Sequence, residues 1–176
     1  FPIAEDERVT GMVVVSNFSP GMYLLMATRN GEIKKTQLNN FATIRSSGII
    51  ALDLEKGDEL VAACLATDED DILLVTRRGQ SIRFPVSQLR TASRTSGGVR
   101  GMRLREEDQV VSMDVVYPGA FVLIVSRLGF GKLTPIDAYT RQHRAGIGLK
   151  TFKITEKTGE VAAAKLVSQS QQLMII

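Results

Sequence analysis

The chain has 176 residues, 44% of them hydrophobic, and its 22 Lys and Arg against 19 Asp and Glu leave a formal net charge of +3. That length can bury a sizeable core, and no apolar run reaches the roughly 18–20 residues that cross a bilayer as a helix. The single cysteine, Cys64, excludes an internal disulfide framework, and the single histidine, His143, excludes a histidine-based metal cluster.

From the N-terminus, FPIAEDERVT lacks the basic and apolar regions of a secretory leader. A cytoplasmic location with no membrane partner is therefore expected. Glu7-Arg-Val-Thr-Gly reads as the opening strand of a unit, and Tyr23-Leu-Leu-Met-Ala as an apolar strand. Asn30-Gly31 then reads as a two-residue hairpin turn with φ > 0 at both positions. Phe41, Arg45-Ser-Ser-Gly and a further short strand, Gly48-Ile-Ile-Ala-Leu, follow.

The same order returns twice. Glu59-Leu-Val-Ala-Ala, Ile72-Leu-Leu-Val-Thr, Gly79, Leu89, Arg94-Thr-Ser-Gly and Gly98-Val-Arg-Gly-Met make the second copy. Gln109-Val-Val-Ser-Met, Val122-Leu-Ile-Val-Ser, Gly129, Tyr139, Arg144-Ala-Gly and Ile147-Gly-Leu-Lys-Thr make the third, and a fourth starts at Glu160-Val-Ala-Ala-Ala. The hairpin glycines lie about 50 residues apart, a period at which four strands per unit point to blades set radially. We expect an all-β, propeller-like domain over residues 1–176, with units at about 7–57, 58–107 and 108–158 and a truncated one at 159–176. QQLMII at the C-terminus reads as a strand cut short, so the chain is expected to be a piece of a longer one.

Charge follows the same phase. Acidic residues gather at unit starts and before the apolar runs, as in Glu5-Asp6-Glu7, Asp58-Glu59, Asp68-Glu69-Asp70-Asp71 and Glu106-Glu107-Asp108. Basic residues follow those runs: Arg29, Lys34, Lys35 and Arg45; then Arg77, Arg78, Arg83, Arg90, Arg94, Arg100 and Arg103; then Arg127, Lys132, Arg141, Arg144 and Lys150. Equal phase in a repeat means equal place on each unit, so one continuous basic band and one acidic face are expected. Such a band is the electrostatic footprint of nucleic-acid binding. No recognition helix or zinc pattern supports base-specific reading.

Other motifs read as structural. Cys64, in VAACLA, is expected to be a small buried hydrophobe. Tyr23 and Tyr139 fall at core phases. Asp68–Asp71 reads as a solvated turn, and Gly129-Phe130-Gly131 as a hairpin and not a dinucleotide loop. No catalytic residue or metal site is expected. Two further readings stay open: a protein-interaction scaffold, and a channel hydrolase, which the absence of a usable nucleophile argues against.

Five ordered segments, GIIALDLEKGDELVAACL, LLVTRRGQSIRFP, RTSGGVRGMRLREEDQVVSM, GFGKLTPIDAY and FKITEKTGEVAAAKLV, make the chain resemble the C-terminal domain of bacterial DNA gyrase A. The resemblance implies a β-pinwheel, here about three complete four-stranded blades plus partial ones. It implies duplex DNA wrapped on a basic rim in support of negative supercoiling, with the rest of gyrase A and with gyrase B as heterotetramer partners in a nucleoid-associated enzyme, a type IIA DNA topoisomerase. ATP and Mg are implied for that holoenzyme only, with no cofactor in this chain. The family's Q-R-R-G-G-K-G box has only a degenerate counterpart here, Gln142-His143-Arg144-Ala145-Gly146-Ile147-Gly148, which agrees at Gln142, Arg144, Gly146 and Gly148. The related protein of topoisomerase IV has similar blades and a degraded box, and is the alternative.

Overall fold

The computed structural model describes residues 7–43, 45–172 and 174. Glu5, Asp6 and half of the C-terminal segment QQLMII expected as a strand (Leu173, Ile175 and Ile176) lie outside these, and Gln171, Gln172 and Met174 are not in a strand. Eleven strands are present among the described residues: β1 (Tyr23–Thr28), β2 (Glu32–Gln37), β3 (Leu60–Ala66), β4 (Asp71–Thr76), β5 (Gln80–Pro85), β6 (Val99–Arg100), β7 (Val110–Val116), β8 (Phe121–Ser126), β9 (Gly131–Pro135), β10 (Leu149–Lys150) and β11 (Val161–Val167). They form three antiparallel sheets in the orders β3-β1-β2-β6, β7-β4-β5-β10 and β11-β8-β9. The first two are complete four-stranded blades. No helix of the described residues is long and apolar enough to cross a membrane.

Each hairpin is built by its own sequence. Gly31, Gly79 and Gly129 donate back to Thr28, Thr76 and Ser126 carbonyls, closing a four-residue turn. The hydroxyls of the same three residues accept the N–H of Glu32, Gln80 and Phe130. Only the glycine of each turn has positive φ. The turn is therefore a three-residue loop closed by a left-handed glycine, and not the two-residue form expected at Asn30-Gly31.

The sheets cut across the sequence units. The strand that opens one unit pairs with the hairpin before it: β3 lies on β1, and β7 on β4. The short strand at a unit's end reaches back one blade further, so Val99 pairs with Ile33 and Leu149 with Ser81. Two expected strands are missing among the described residues, Glu7–Gly11 and Gly48–Leu52. By phase, Gly48–Leu52 corresponds to β6 and β10, whose partners are hairpins far upstream. No such hairpin for it lies within the described residues.

β3, β7 and β11 pack against one another along the inner edges of the blades. β6 and β10 therefore stand at the outer edge. The middle blade is covered on both faces. Ile72, Leu74, Ile82 and Phe84 point into a core shared with the first blade, while Leu73 and Val75 join Val122, Ile124, Tyr139 and Phe152 on the other side. This two-sided burial explains why β4 is a continuous apolar run and not an alternating one.

A belt of backbone hydrogen bonds joins the blades at the inner edge. Arg29 N–H donates to Glu59 O (2.8 Å), Val110 to Arg29 O (2.9 Å), Arg77 to Gln109 O (2.7 Å), Val161 to Arg77 O (2.9 Å) and Arg127 to Glu160 O (2.8 Å). At the outer edge, Gly148 has φ +80°, and a Cβ there would lie 2.4 Å from the Ser81 carbonyl. Gly148→Ala is expected to cost about 1–3 kcal/mol in backbone strain alone, more with the clash. Urea unfolding checks this; an unchanged midpoint would refute the assignment.

Candidate nucleic-acid interface

The basic residues do not form one band. They occupy three places, each fixed by its position in the blade.

The first is the interior. Lys34 is 1% exposed. Its Nζ donates to the carbonyls of Ala51 (2.9 Å), Arg94 (2.5 Å) and Ser96 (2.7 Å). Burial, then the Arg94 guanidinium, holds its pKa below the ordinary lysine value against the opposing pull of Asp53. Lys35 is also buried; its Nζ meets Asp68 at 2.6 Å and lies 4.6 Å from the Tyr23 ring centroid. That contact holds the Asp68 carboxyl below its usual range. Arg83 binds Asp71 at 2.7 Å and the Tyr139 carbonyl at 3.2 Å. These three were expected on the DNA-facing band. In the fold they act as structural clamps, Lys34 and Lys35 buried and Arg83 half-buried, and a cation already engaged by carbonyls or a carboxylate has little left for a phosphate.

The second place is the inner edge. Arg29, Arg77 and Arg127 project there from the hairpin turns and pair with carboxylates: Arg29 with Glu59 (3.2 Å), Arg77 with Glu160 (3.4 Å) and Arg127 with Glu160 (4.0 Å). Arg78, beside them, meets Glu107 at 2.7 Å. Each has a carboxylate partner within the protein, although Arg77 and Arg127 share one.

The third place is the outer edge and its loops. Arg90, Arg100 and Lys150 are exposed and make no ion pair among the described residues, and the same holds for Arg45 in its loop. The Arg94 guanidinium donates to the Ile50 carbonyl, and at the same phase Arg144 donates to the Arg100 carbonyl. Lys132 is exposed and its Nζ donates to Thr151 O at 3.0 Å. Arg141 meets Asp71 at 2.7 Å while its side chain stays 63% exposed. Arg105 was not among the expected residues. It is exposed and shares a cleft with Lys150 and Arg78; in sequence its acidic neighbours Glu106 and Glu107 mask it.

The loop from Gln142 to Gly148 is a clasp on its neighbours. Gln142 N–H donates to Arg83 O (2.8 Å), Arg144 N–H to Gln88 Oε1 (2.8 Å) and Ala145 N–H to Gly101 O (2.8 Å), while Gly146 O accepts from Arg103 N–H (2.8 Å). The acidic turn is likewise structural, and not wholly solvated. Asp70 accepts from Thr67, Asp68 from Lys35, and buried Asp71 from both Arg83 and Arg141. Asp58 and Asp108, members of the acidic clusters at unit starts and expected on the acidic face, are nearly buried. Each accepts two backbone N–H bonds, Asp58 from Asn30 and Glu59, Asp108 from Arg78 and Gln109. Cys64 packs on the core, and burial followed by the Asp114 charge pushes its thiol up to about 12.

The molecule is thus an array of antiparallel blades around an axis, with uncompensated basic side chains at the outer edge. It matches the family described as DNA gyrase C-terminal domain, beta-propeller, over residues 23–63, 70–116 and 120–168. The chain belongs to this family. It is 51% identical over 174 residues to the DNA gyrase A protein of Dehalogenimonas lykanthroporepellens, covering 99% of this chain and 21% of that protein. It is 40% identical to the DNA gyrase A protein of Mycolicibacterium smegmatis, over 97% of this chain and 20% of that one. The chain therefore spans about a fifth of the length of these relatives. Among solved structures, a DNA gyrase A C-terminal domain superposes with TM-score 0.79 at 26% identity, covering 88% of this chain and 52% of that one. The C-terminal domain of DNA topoisomerase IV superposes with TM-score 0.88 at 24% identity, over 96% of this chain and 53% of that one, a likeness of fold.

Two outcomes follow. Lys34→Met should lower stability by about 2–4 kcal/mol, since three carbonyls lose their donor, whereas Lys150→Met should change it by less than about 0.5 kcal/mol; denaturant titration of both compares them. At pH 8 the Cys64 thiol is protonated in the folded state, so Ellman's reagent should label it far more slowly in buffer than in urea.

Proposed function

We propose that the outer edge binds duplex DNA without reading its base sequence, and that successive blades carry the duplex around the array. The observation behind this is the set Arg90, Arg94, Arg100, Arg141, Arg144 and Lys150, presented by the outer strands and loops of successive blades with few carboxylate partners. Arg45 and Lys132 extend it. Lys and Arg there would neutralise phosphates and release counterions, so affinity would depend steeply on salt. Among the described residues the only helices are three short 3-10 turns, which gives no element to enter a groove. Bending a site of 20–30 bp costs on the order of 1–6 kcal/mol, which several phosphate contacts per blade can offset.

Within a gyrase, this wrapping would present DNA to the catalytic parts of the holoenzyme for ATP-dependent negative supercoiling. The rest of gyrase A, together with gyrase B, would supply the cleavage and ATPase chemistry, with ATP and Mg bound there, in a nucleoid-associated heterotetramer. The family match and the gyrase A relatives support this reading over the topoisomerase IV alternative.

Titration with a linear duplex at several salt concentrations tests it. A linear fall of log K with log salt is expected, with a slope near −0.9 per phosphate neutralised. Arg90→Glu, Arg100→Glu and Lys150→Glu should each weaken binding for all sequences and reduce the slope by about 1. Arg127→Gln, at the inner edge, should leave affinity within about twofold. Equal loss for the inner and outer variants, or no binding at low salt, would favour the scaffold reading.

A further inference from the structure

Around the inner mouth of the array, side chains alternate in sign along the backbone belt. Arg8 meets one Glu59 oxygen at 2.8 Å and Arg29 meets the other at 3.2 Å. Further round, Glu160 lies between Arg77 and Arg127. The position between Arg29 and Arg77 breaks the pattern. By phase it should carry the carboxylate that Glu59 and Glu160 provide, and the sequence places Gln109 there. The belt fixes the placement: Val110 N–H donates to Arg29 O and Arg77 N–H to Gln109 O.

The two arginines that flank this break are also the ones with unmet hydrogen-bonding capacity. The Nε atoms of Arg29 and Arg77 are buried and have no hydrogen-bond partner; the approach of Glu160 to Arg77 Nε, at 3.4 Å, is an ion pair without hydrogen-bond geometry. Both side chains line an open cleft of about 720 Å3, together with Arg8, Arg127 and Glu59. In ion pairs among the described residues, four guanidiniums thus share Glu59 and Glu160. Arg29 also donates to Gly57 O (2.6 Å) and Arg77 to Glu107 O (3.3 Å), and a neutral amide stands where the repeat elsewhere has a carboxylate. A buried donor without an acceptor is costly, and guanidinium is the side chain best shaped to hold a planar or tetrahedral oxyanion.

We propose that the gap at Gln109 is a binding site for a small oxyanion of the phosphate class, held between Arg29 and Arg77 in place of the missing carboxylate. The cleft that holds the site is lined by none of the outer basic residues proposed to contact DNA, so the site is assigned to free anion and not to the backbone of wrapped DNA. Occupation would tie the first two blades together across the break in the ion-pair belt.

The test is calorimetric titration of the full chain with inorganic phosphate, potassium chloride being adjusted to hold ionic strength constant. Saturable binding, with a rise in melting temperature beyond that in chloride alone, is expected. Gln109→Glu restores the carboxylate found at the two equivalent positions, so it should fold, melt higher in the absence of phosphate and bind phosphate at least about tenfold more weakly. Gln109→Ala adds no charge at the gap and should bind within about threefold of the parent. Should Gln109→Glu fail to fold by circular dichroism, Arg29→Gln replaces it, with the same expected loss. No saturable binding by the parent, or undiminished binding by the Glu variant, overturns the proposal. Displacement of bound phosphate by a short DNA duplex would overturn the assignment to free anion; independence of the two ligands supports it.

Discussion

The belt of main-chain hydrogen bonds at the inner edge positions everything outside it. Each hairpin turn gives its arginine N–H to the residue just before the innermost strand, and the first two turns take back, through the arginine carbonyl, an N–H from the following blade. Asp58 and Asp108 lock the corners by accepting two N–H groups apiece. The belt itself is backbone, so it sets the spacing of the blades largely independently of the side chains. The apolar faces of β4 and its neighbours then have a fixed gap to fill.

From that geometry the fate of each cation follows. A basic residue in the hairpin turn lies at the inner mouth, where a carboxylate of its own or the following blade reaches it. One in the middle of β2 or β5 lies between blades, where only a saturated clamp such as Lys34 or Arg83 is tolerable. One on β6, β10 or the loops that lead to them faces water. Equal charge along the sequence thus becomes three different electrostatic roles, decided by depth from the axis.

The strands and the repeat were legible because two-sided burial leaves long Val, Ile and Leu runs, and because each turn is marked by Thr or Ser, Arg and Gly. The depth of a cation was not legible. Lys34 and Lys35 are adjacent in a strand, so both looked like rim residues, yet one enters a ring of carbonyls and the other an aspartate pocket. Nothing local announces a carbonyl donated from Arg94 or Ser96, some 60 residues on. Asp108 read only as part of an acidic cluster for the same reason: it accepts from the Thr76 hydroxyl and the Arg78 N–H of a hairpin turn about 30 residues upstream. The assignment of the opening strand to its blade also escaped a linear reading, since repeat phase is silent on which neighbour a strand joins.

The outermost strand of each complete blade comes from chain 66–70 residues further on. A blade emerging from a ribosome therefore exposes the edge of its hairpin until the next hairpin has been made and its tail folds back. Such pairings are long-range and late, the kind that slow folding and leave strand edges open to wrong partners. Order of synthesis and order of assembly are bound together in this design: no blade is finished before its successor has begun.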